Sequence, residues 1–453
     1  MARAQVTDLV VVLPGITGSR LADADGGAVW DLSGAALLQG LRTFGRSASA
    51  LRLPKDIGDG DPGDGVVPVG LMPGLHALPG VWHPVDGYTD LLRWLERRFT
   101  LSVSDNLLTF PYDWRLSCRY NAQRLKGRID LELERWRTSA PERREARVVF
   151  LCHSMGGLVA RHYVERLGGH EITRRLITLG TPHRGSVAAL AGLVNGVRLL
   201  GPDLDPDLGS FARSLPSLHQ LVADHACVTG PDGLAYARDL PGLPGVDAAL
   251  LADAARFHAD LRSAPPRAEL HAISGIGQHT ATAARYADDR LALLPGTGAA
   301  AGDGDGAVPR LAAVPAEAAG GGFPVTGSAT PYEQHGSLHN NGGVRDALRN
   351  LLGHERPDGP TLPVGGEPAR ARLGVQVSAL LPAGAPYEVT VTAPDDALRL
   401  TAELRPADGG RPTARALDDL GGGRYGATFP PPGPGAYRLS VGRTTALSVV
   451  ADR

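Results

Sequence analysis

The chain has 453 residues, of which 43% are hydrophobic and 21% charged, and its formal net charge is −2 at pH 7. That length exceeds what one core supports and points to a large domain with a smaller companion. The composition is globular, and the near-neutral charge offers no basic field for nucleic acid.

Three cysteines (Cys118, Cys152, Cys227) are odd in number and widely spaced, which argues against a disulfide framework and against a zinc site; no metal and no cofactor is expected. Only five apolar residues precede Pro14, too few for a signal h-region, and no apolar run is long enough to span a bilayer. The expected location is therefore cytoplasmic.

Residues 9–13 (Leu-Val-Val-Val-Leu) read as a buried strand that runs into Pro14-Gly15-Ile16-Thr17-Gly18-Ser19. A glycine-rich turn at a strand end can leave backbone N–H groups free over a sheet edge. Residues 22–84 show weak periodicity, and the Gly/Asp-rich run 58–65 lacks the ligand spacing of a calcium loop, so it reads as a solvated loop. Tyr88, Leu91, Leu92, Trp94 and Leu95 mark an amphipathic helix. The strand 106–110 ends in Pro111-Tyr112-Asp113-Trp114-Arg115. Polar and aromatic residues at such a strand end either brace the loop through an Asp–Arg pair or touch substrate, with Asp113 and Trp114 as pocket candidates. A charged helix follows over 119–137.

Residues 148–151 are continuously apolar, and Cys152-His153-Ser154-Met155-Gly156-Gly157 leads into a helical stretch at 158–163. A serine on a sharp strand-to-helix turn is the nucleophile elbow of an α/β-hydrolase. The helix N-terminus behind it favours negative charge. Cys152 stands where that pattern usually has glycine; it is small enough for the turn. Another short strand, 175–180, precedes Thr181-Pro182-His183-Arg184-Gly185-Ser186, where His183 is a further pocket candidate. The β-α-β-α-β succession predicts a doubly wound, mostly parallel sheet. Residues 187–267 turn helical and irregular, as a cap or lid would, before the strand 268–275 resumes the sheet.

Gly304-Asp305-Gly306 and then Glu333-Gln334-His335-Gly336-Ser337-Leu338-His339 follow, ahead of a helix over 344–352. The order Ser, Asp, His is that of an α/β-hydrolase. Asp303 competes with Asp305 as the acid and His339 with His335 as the base, while His153 beside the serine points away and packs near the sheet. Residues 356–370 read as a Pro/Gly-rich linker. Beyond it, period-two stretches at 387–391, 398–404, 437–441 and 446–450 predict an immunoglobulin-like β-sandwich over 371–453, with residues 1–355 as the catalytic domain.

Taken together, residues 8–355 resemble the lecithin:cholesterol acyltransferase family, which includes lysosomal phospholipase A2 and phospholipid:diacylglycerol acyltransferases. The resemblance rests on Leu13-Pro14-Gly15 with Gly18, on Pro111-Tyr112-Asp113-Trp114-Arg115, on His153-Ser154-Met155-Gly156, on Leu179-Gly180 with Pro182 and Gly185-Ser186, and on Gly304-Asp305 leading to Val308. It implies a serine enzyme acting on acyl esters, often of lipids, through an acyl-enzyme. Ser154 matches the nucleophile, Asp305 the acid and His335 the base, and Ile16 and Met155 match the backbone donors of the oxyanion hole. Hydrolysis is expected, with O-acyl transfer to an alcohol or lipid as the alternative and a non-catalytic binding protein on the same fold as a distant third. The substrate would be met by transient contact with a membrane surface, without a transmembrane segment. The sandwich lies outside the resemblance, and its partner is undefined.

Overall fold

The computed structural model describes residues 3–451 apart from 32–50, 75–84, 197–205, 231–232, 241, 264–266, 296–303, 318–329, 354–372, 379, 394–397, 408–409 and 443. Strands β1 (Leu9–Leu13), β2 (Leu107–Thr109), β3 (Val148–His153), β4 (Thr173–Leu179) and β5 (Glu269–Ile273) form a parallel sheet in the order β5-β4-β3-β1-β2. Register aligns Leu13 with Cys152 and His153 with Leu179, so the carboxyl ends of β1, β3 and β4 finish side by side.

The strands are apolar throughout because both faces are covered. Val10 and Val12 pack with Leu91 and Trp94 of α1 (Thr89–Arg98) and with Val344 and Leu348 of α5 (Gly342–Leu352). Leu9 and Val11 face the opposite core, with Leu125 and Ile129 of α2 (Cys118–Thr138), Leu158 of α3 (Met155–Arg166) and Phe257 of α4 (Ala248–Arg262). The expected doubly wound sheet of an α/β-hydrolase is what forms.

Three regions differ from expectation. Residues 22–84, in which no element was assigned, contribute Ala28–Trp30 and Val67–Leu71 to a small antiparallel sheet with Ser19–Ala22. Its strands are three to five residues long and partly exposed, too short for a period to register. The acidic run within it is tied down as well as solvated: Asp59 accepts from Ser117 and Arg119, Asp61 from Tyr120 and Asp64 from Arg115. The cap expected as helical over 187–267 holds the helices Val187–Asn195, Pro206–Arg213 and Pro216–Gln220. It also holds a strand pair, Val228–Gly230 and Gly233–Ala235, which joins the unforeseen hairpin Ala281–Ala287/Arg290–Pro295 in a four-stranded sheet. The region is thus mixed helix and strand rather than helical. Its last helix, α4, packs against α3 beneath the sheet.

The linker expected at 356–370 lies outside the described residues. The sandwich beyond it has one sheet of Gly374–Val377, Tyr387–Thr392, Arg424–Phe429 and Asp418–Gly421, and a second of Leu380–Pro382, Thr401–Pro406, Thr413–Ala416, β6 (Gly435–Val441) and β7 (Thr444–Ala451). Val375, Val389, Val391, Tyr425, Leu439 and Val441 fill the space between them. The strand expected at 398–404 is shifted to Thr401–Pro406. Among the described residues, no helix is long and apolar enough to cross a membrane.

Candidate active site

Ser154 lies between β3 and α3 with φ 51° and ψ −126°. A positive φ at a serine is strained and needs surrounding structure to hold it. Here Ser154 N–H donates to Leu179 O at 2.9 Å and Gly157 N–H to Ser154 O at 3.0 Å. The side chain meets His335: Ser154 Oγ lies 2.9 Å from His335 Nε2. His335 Nδ1 in turn lies 2.7 Å from Asp305 Oδ2. The carboxylate accepts from Nδ1–H, which leaves the Nε2 lone pair facing the serine hydroxyl. The other oxygen of Asp305, Oδ1, accepts from the backbone N–H groups of Ala307 at 3.0 Å and Val308 at 2.7 Å. The two late loops are also joined directly, His335 N–H donating to Asp305 O at 2.9 Å. All three side chains are buried.

Gly180, at the end of β4, has φ +60°, and a Cβ there would lie 2.9 Å from Asp305 Oδ2 and 3.0 Å from His335 Nδ1. A larger residue would push Asp305 and His335 apart.

The glycine-rich turn after β1 sits against Ser154: a Cβ at Gly15 would lie 2.9 Å from Ser154 Cβ. Ile16 follows in that turn. Met155 is the first residue of α3, so its N–H is among the four that a helix leaves without an intrahelical acceptor. Neither donor is expressed in the sequence as more than a position.

Several supporting residues were not legible as such. Gly15 N–H donates to Tyr88 Oη at 2.8 Å, Tyr88 O–H donates to His153 Nδ1 at 2.9 Å, and His153 Nε2–H donates to His335 O at 2.9 Å. This chain of bonds links the turn beside the serine to the backbone of the histidine. Burial pushes the Tyr88 hydroxyl up, so it stays a neutral donor. His153 therefore packs by the sheet as expected, but it also holds the His335 loop. Only the alternation of α1 gave any sign of Tyr88, and that sign pointed to the core.

Pro111–Arg115 braces the same turn. Tyr112 O–H donates to Pro14 O at 2.8 Å, and Trp30 Nε1–H donates to Thr17 O at 3.0 Å. Trp114 is fully buried, edge-on to Trp30 at 5.0 Å and to Phe211 at 6.2 Å. Asp113 is engaged by Arg115, whose Nη2 reaches its Oδ2 at 2.7 Å while Nη1 reaches Asp64 at 2.8 Å. Of the two readings of this segment, bracing is the one with visible contacts. His183 hydrogen-bonds Thr178 Oγ1 through Nε2 at 3.2 Å. It lines a polar cavity of 220 Å³ with Arg161, Arg184, Asp224, His258 and Arg262, whose walls do not include Ser154, Asp305 or His335.

The rival base, His339, lies 3.3 Å through Nε2 from Gly87 O and stacks on Tyr88 at 4.8 Å. Burial pulls it down to about 4. The rival acid, Asp303, lies outside the described residues. Cys152, Cys118 and Cys227 are buried and free, and burial pushes the Cys152 thiol well up, which leaves it unreactive.

Residues 84–205 match the family model described as lecithin:cholesterol acyltransferase. The matched stretch includes Pro111–Arg115 and Ser154 and ends before Asp305 and His335. The chain is similar to that family over this stretch, which is less than half of its length. Among solved structures, it is similar to the lipase BlEst2 of Bacillus licheniformis in its propeptide form, at 13% identity and a TM-score of 0.34, over 97% of this chain and 73% of that one. The mature form of that lipase is 12% identical, with a TM-score of 0.36, over 76% of this chain and 92% of that one. A superoxide reductase (neelaredoxin) from Ignicoccus hospitalis is 11% identical, with a TM-score of 0.15, over 18% of this chain and 80% of that one. No curated protein matches the chain.

Proposed function

We propose that the chain is a serine esterase or lipase that cleaves acyl esters, with Ser154 as nucleophile, His335 as general base and acid, and Asp305 as the group that orients the imidazole. The observation that carries this reading is the pair of hydrogen bonds, 2.9 Å from Ser154 Oγ to His335 Nε2 and 2.7 Å from His335 Nδ1 to Asp305, at a serine held with positive φ. A serine hydroxyl is a weak nucleophile at neutral pH and needs such a base within reach.

In this mechanism His335 Nε2 takes the hydroxyl proton as Ser154 Oγ attacks the ester carbon. The carbonyl oxygen becomes an oxyanion, received by the N–H groups of Ile16 and Met155. Each such donor is worth about 10²–10³ in rate. The C–O bond breaks, and the leaving alkoxide takes the proton from His335. Water then attacks the acyl-Ser154 ester with His335 again as base, releasing a carboxylic acid and restoring Ser154. Transfer of the acyl group to an alcohol or lipid differs only in which hydroxyl attacks. The match to an acyltransferase family over 84–205 keeps that second reading.

Labelling with a fluorophosphonate probe tests the proposal. Wild-type protein is expected to label and Ser154→Ala to stay unlabelled; no labelling of wild type, or equal labelling of the variant, overturns it. Turnover of p-nitrophenyl esters of several chain lengths, with and without an added alcohol, separates esterase, lipase and transferase by the product formed.

A further inference from the structure

We propose that the C-terminal sandwich is a built-in clamp on the histidine loop, with Glu333 and Gln334 as positioning residues that transmit its hold to His335. The role in catalysis rests on the reading of Ser154, His335 and Asp305 given above.

The two residues immediately before His335 are bonded to strand β7. Glu333 is 1% exposed. Its Oε1 accepts from Thr445 N–H at 3.4 Å and from Thr445 O–H at 3.2 Å, as well as from Gln334 N–H at 2.9 Å. Its Oε2 accepts from Asn341 Nδ2 at 3.2 Å, at the start of α5. Gln334 Oε1 accepts from Leu447 N–H at 3.2 Å. On the other side of the loop, Asp86 pairs with Arg438 of β6 and accepts from Asn340 Nδ2 at 3.1 Å, while Asp86 N–H donates to Gly336 O at 2.9 Å. Both strands of one sandwich hairpin therefore grip the segment that carries the base.

The sequence of β7 shows why this face is built for contact. A strand exposes alternate residues to opposite sides. Ala446 and Val450 belong to the sandwich core, whereas Leu447 and Val449, with Ala436 of β6, pack into the core of the hydrolase domain. Thr445 lies on the same side as Leu447. A free-standing module on a flexible linker would have a polar outer face there; this one is buried on both.

The consequence is geometric. The base has to stay within hydrogen-bond reach of Ser154, and a displacement of about 1 Å in a catalytic group can cost about 10² in rate. The clamp acts on the placement of His335 against Ser154, so loosening it is expected to lower kcat with KM nearly unchanged.

The test uses the full chain carrying Thr445→Val together with Arg438→Met. Thr445→Ser serves as the conservative rescue and Arg424→Gln, exposed on the far sheet, as a control. The measurements are kcat and KM on a p-nitrophenyl ester, the rate of Ser154 labelling, and hydrogen–deuterium exchange over 333–341 with the thermal midpoint. The double variant is expected to lose about ten- to a hundredfold in kcat, with KM within twofold and faster exchange confined to 333–341. Thr445→Ser and Arg424→Gln should behave as wild type. Unchanged kcat, or unchanged exchange of the loop, in a variant whose wild type labels at Ser154 overturns the clamp alone. A fall in kcat matched by faster exchange through the whole chain and a lowered midpoint also overturns it, because the contact is then only a contribution to folding. If wild type does not label at Ser154, the catalytic reading fails and the clamp's role fails with it.

Discussion

Asp305→Asn probes the candidate site most sharply, because the surroundings dictate how the new amide must sit. Oδ1 of Asp305 accepts from two backbone N–H groups, those of Ala307 and Val308. Asparagine has one acceptor oxygen and one NH2. Turning the NH2 toward those two donors would leave both unsatisfied in a buried site, at about 1–3 kcal/mol each. The oxygen therefore stays with the backbone, and the NH2 faces His335 Nδ1. That nitrogen must then accept, the ring proton moves to Nε2, and Nε2 presents a hydrogen to Ser154 in place of a lone pair. The shape of the site is kept while the tautomer is reversed. In a serine protease triad the equivalent change lowers kcat about 10⁴-fold, or about 5 kcal/mol on the barrier. Steady-state kcat and the rate of fluorophosphonate labelling should both show the loss, with the thermal midpoint close to wild type. A variant that retains kcat within tenfold would refute the argument and return the acid's role to another residue.

Four further outcomes follow from the same contacts. Arg115→Met leaves Asp113 buried without its partner, a change that costs about 3–5 kcal/mol; a lower urea midpoint with unchanged KM is expected, and a raised KM at unchanged stability would make Pro111–Arg115 a substrate contact instead. Tyr88→Phe cuts the chain between Gly15 and His153, and kcat should fall about tenfold, the equivalent of about 1.4 kcal/mol for one lost buried bond; kcat equal to wild type would deny Tyr88 any positioning role. Cys152→Gly removes a buried core side chain and should cost about 1–3 kcal/mol of stability with activity within twofold, whereas a large loss of activity would show that the elbow depends on the thiol. Burial holds His162, His258 and His339 down to about 4, so each stabilises the fold above pH 6.5 and loses that contribution as pH falls toward 4, by up to about 1.4 kcal/mol per pH unit; urea midpoints at pH 7 and 5 check it, and His339→Asn should flatten the slope by one such increment, an unchanged slope refuting its share.

How much of this was legible depends on how far apart the determinants lie. The elbow was readable because its strand, serine and helix are contiguous between residues 148 and 163. The order Ser, Asp, His was readable, the choice of Asp305 and His335 rested on the family resemblance, and the structure brings both together with Ser154, while His339 is engaged elsewhere. The supporting residues could not be read. The bond from Tyr88 to His153 spans 65 positions and that from Thr445 to Glu333 spans 112. Nothing local distinguishes Tyr88 from any other core aromatic on an amphipathic helix, or Thr445 from any strand threonine. The hairpin 281–295 was missed for a different reason: only Ala284 of its first strand is fully buried, so no alternation of apolar and polar residues reports it.

The histidine loop shows why such distant support is needed. It is the last segment before α5, and it carries no regular structure beyond the short 3-10 turn His335–Asn340. Its backbone is instead fixed point by point. Asp305 O receives His335 N–H, and His153 donates to His335 O. Asp86 N–H donates to Gly336 O, and Glu333 and Gln334 are held by β7. One neutral hydrogen bond contributes only about 1 kcal/mol net, so losing one tether leaves the others to hold His335 near Ser154. Losing both tethers to the sandwich, one on either side of the loop, leaves only the contacts to the sheet to hold it. Residues sharing one network couple, and their effects do not add. The combined Thr445 and Arg438 change should therefore cost more in kcat than the product of the two single effects, and that excess is the signature of a clamp acting as a unit.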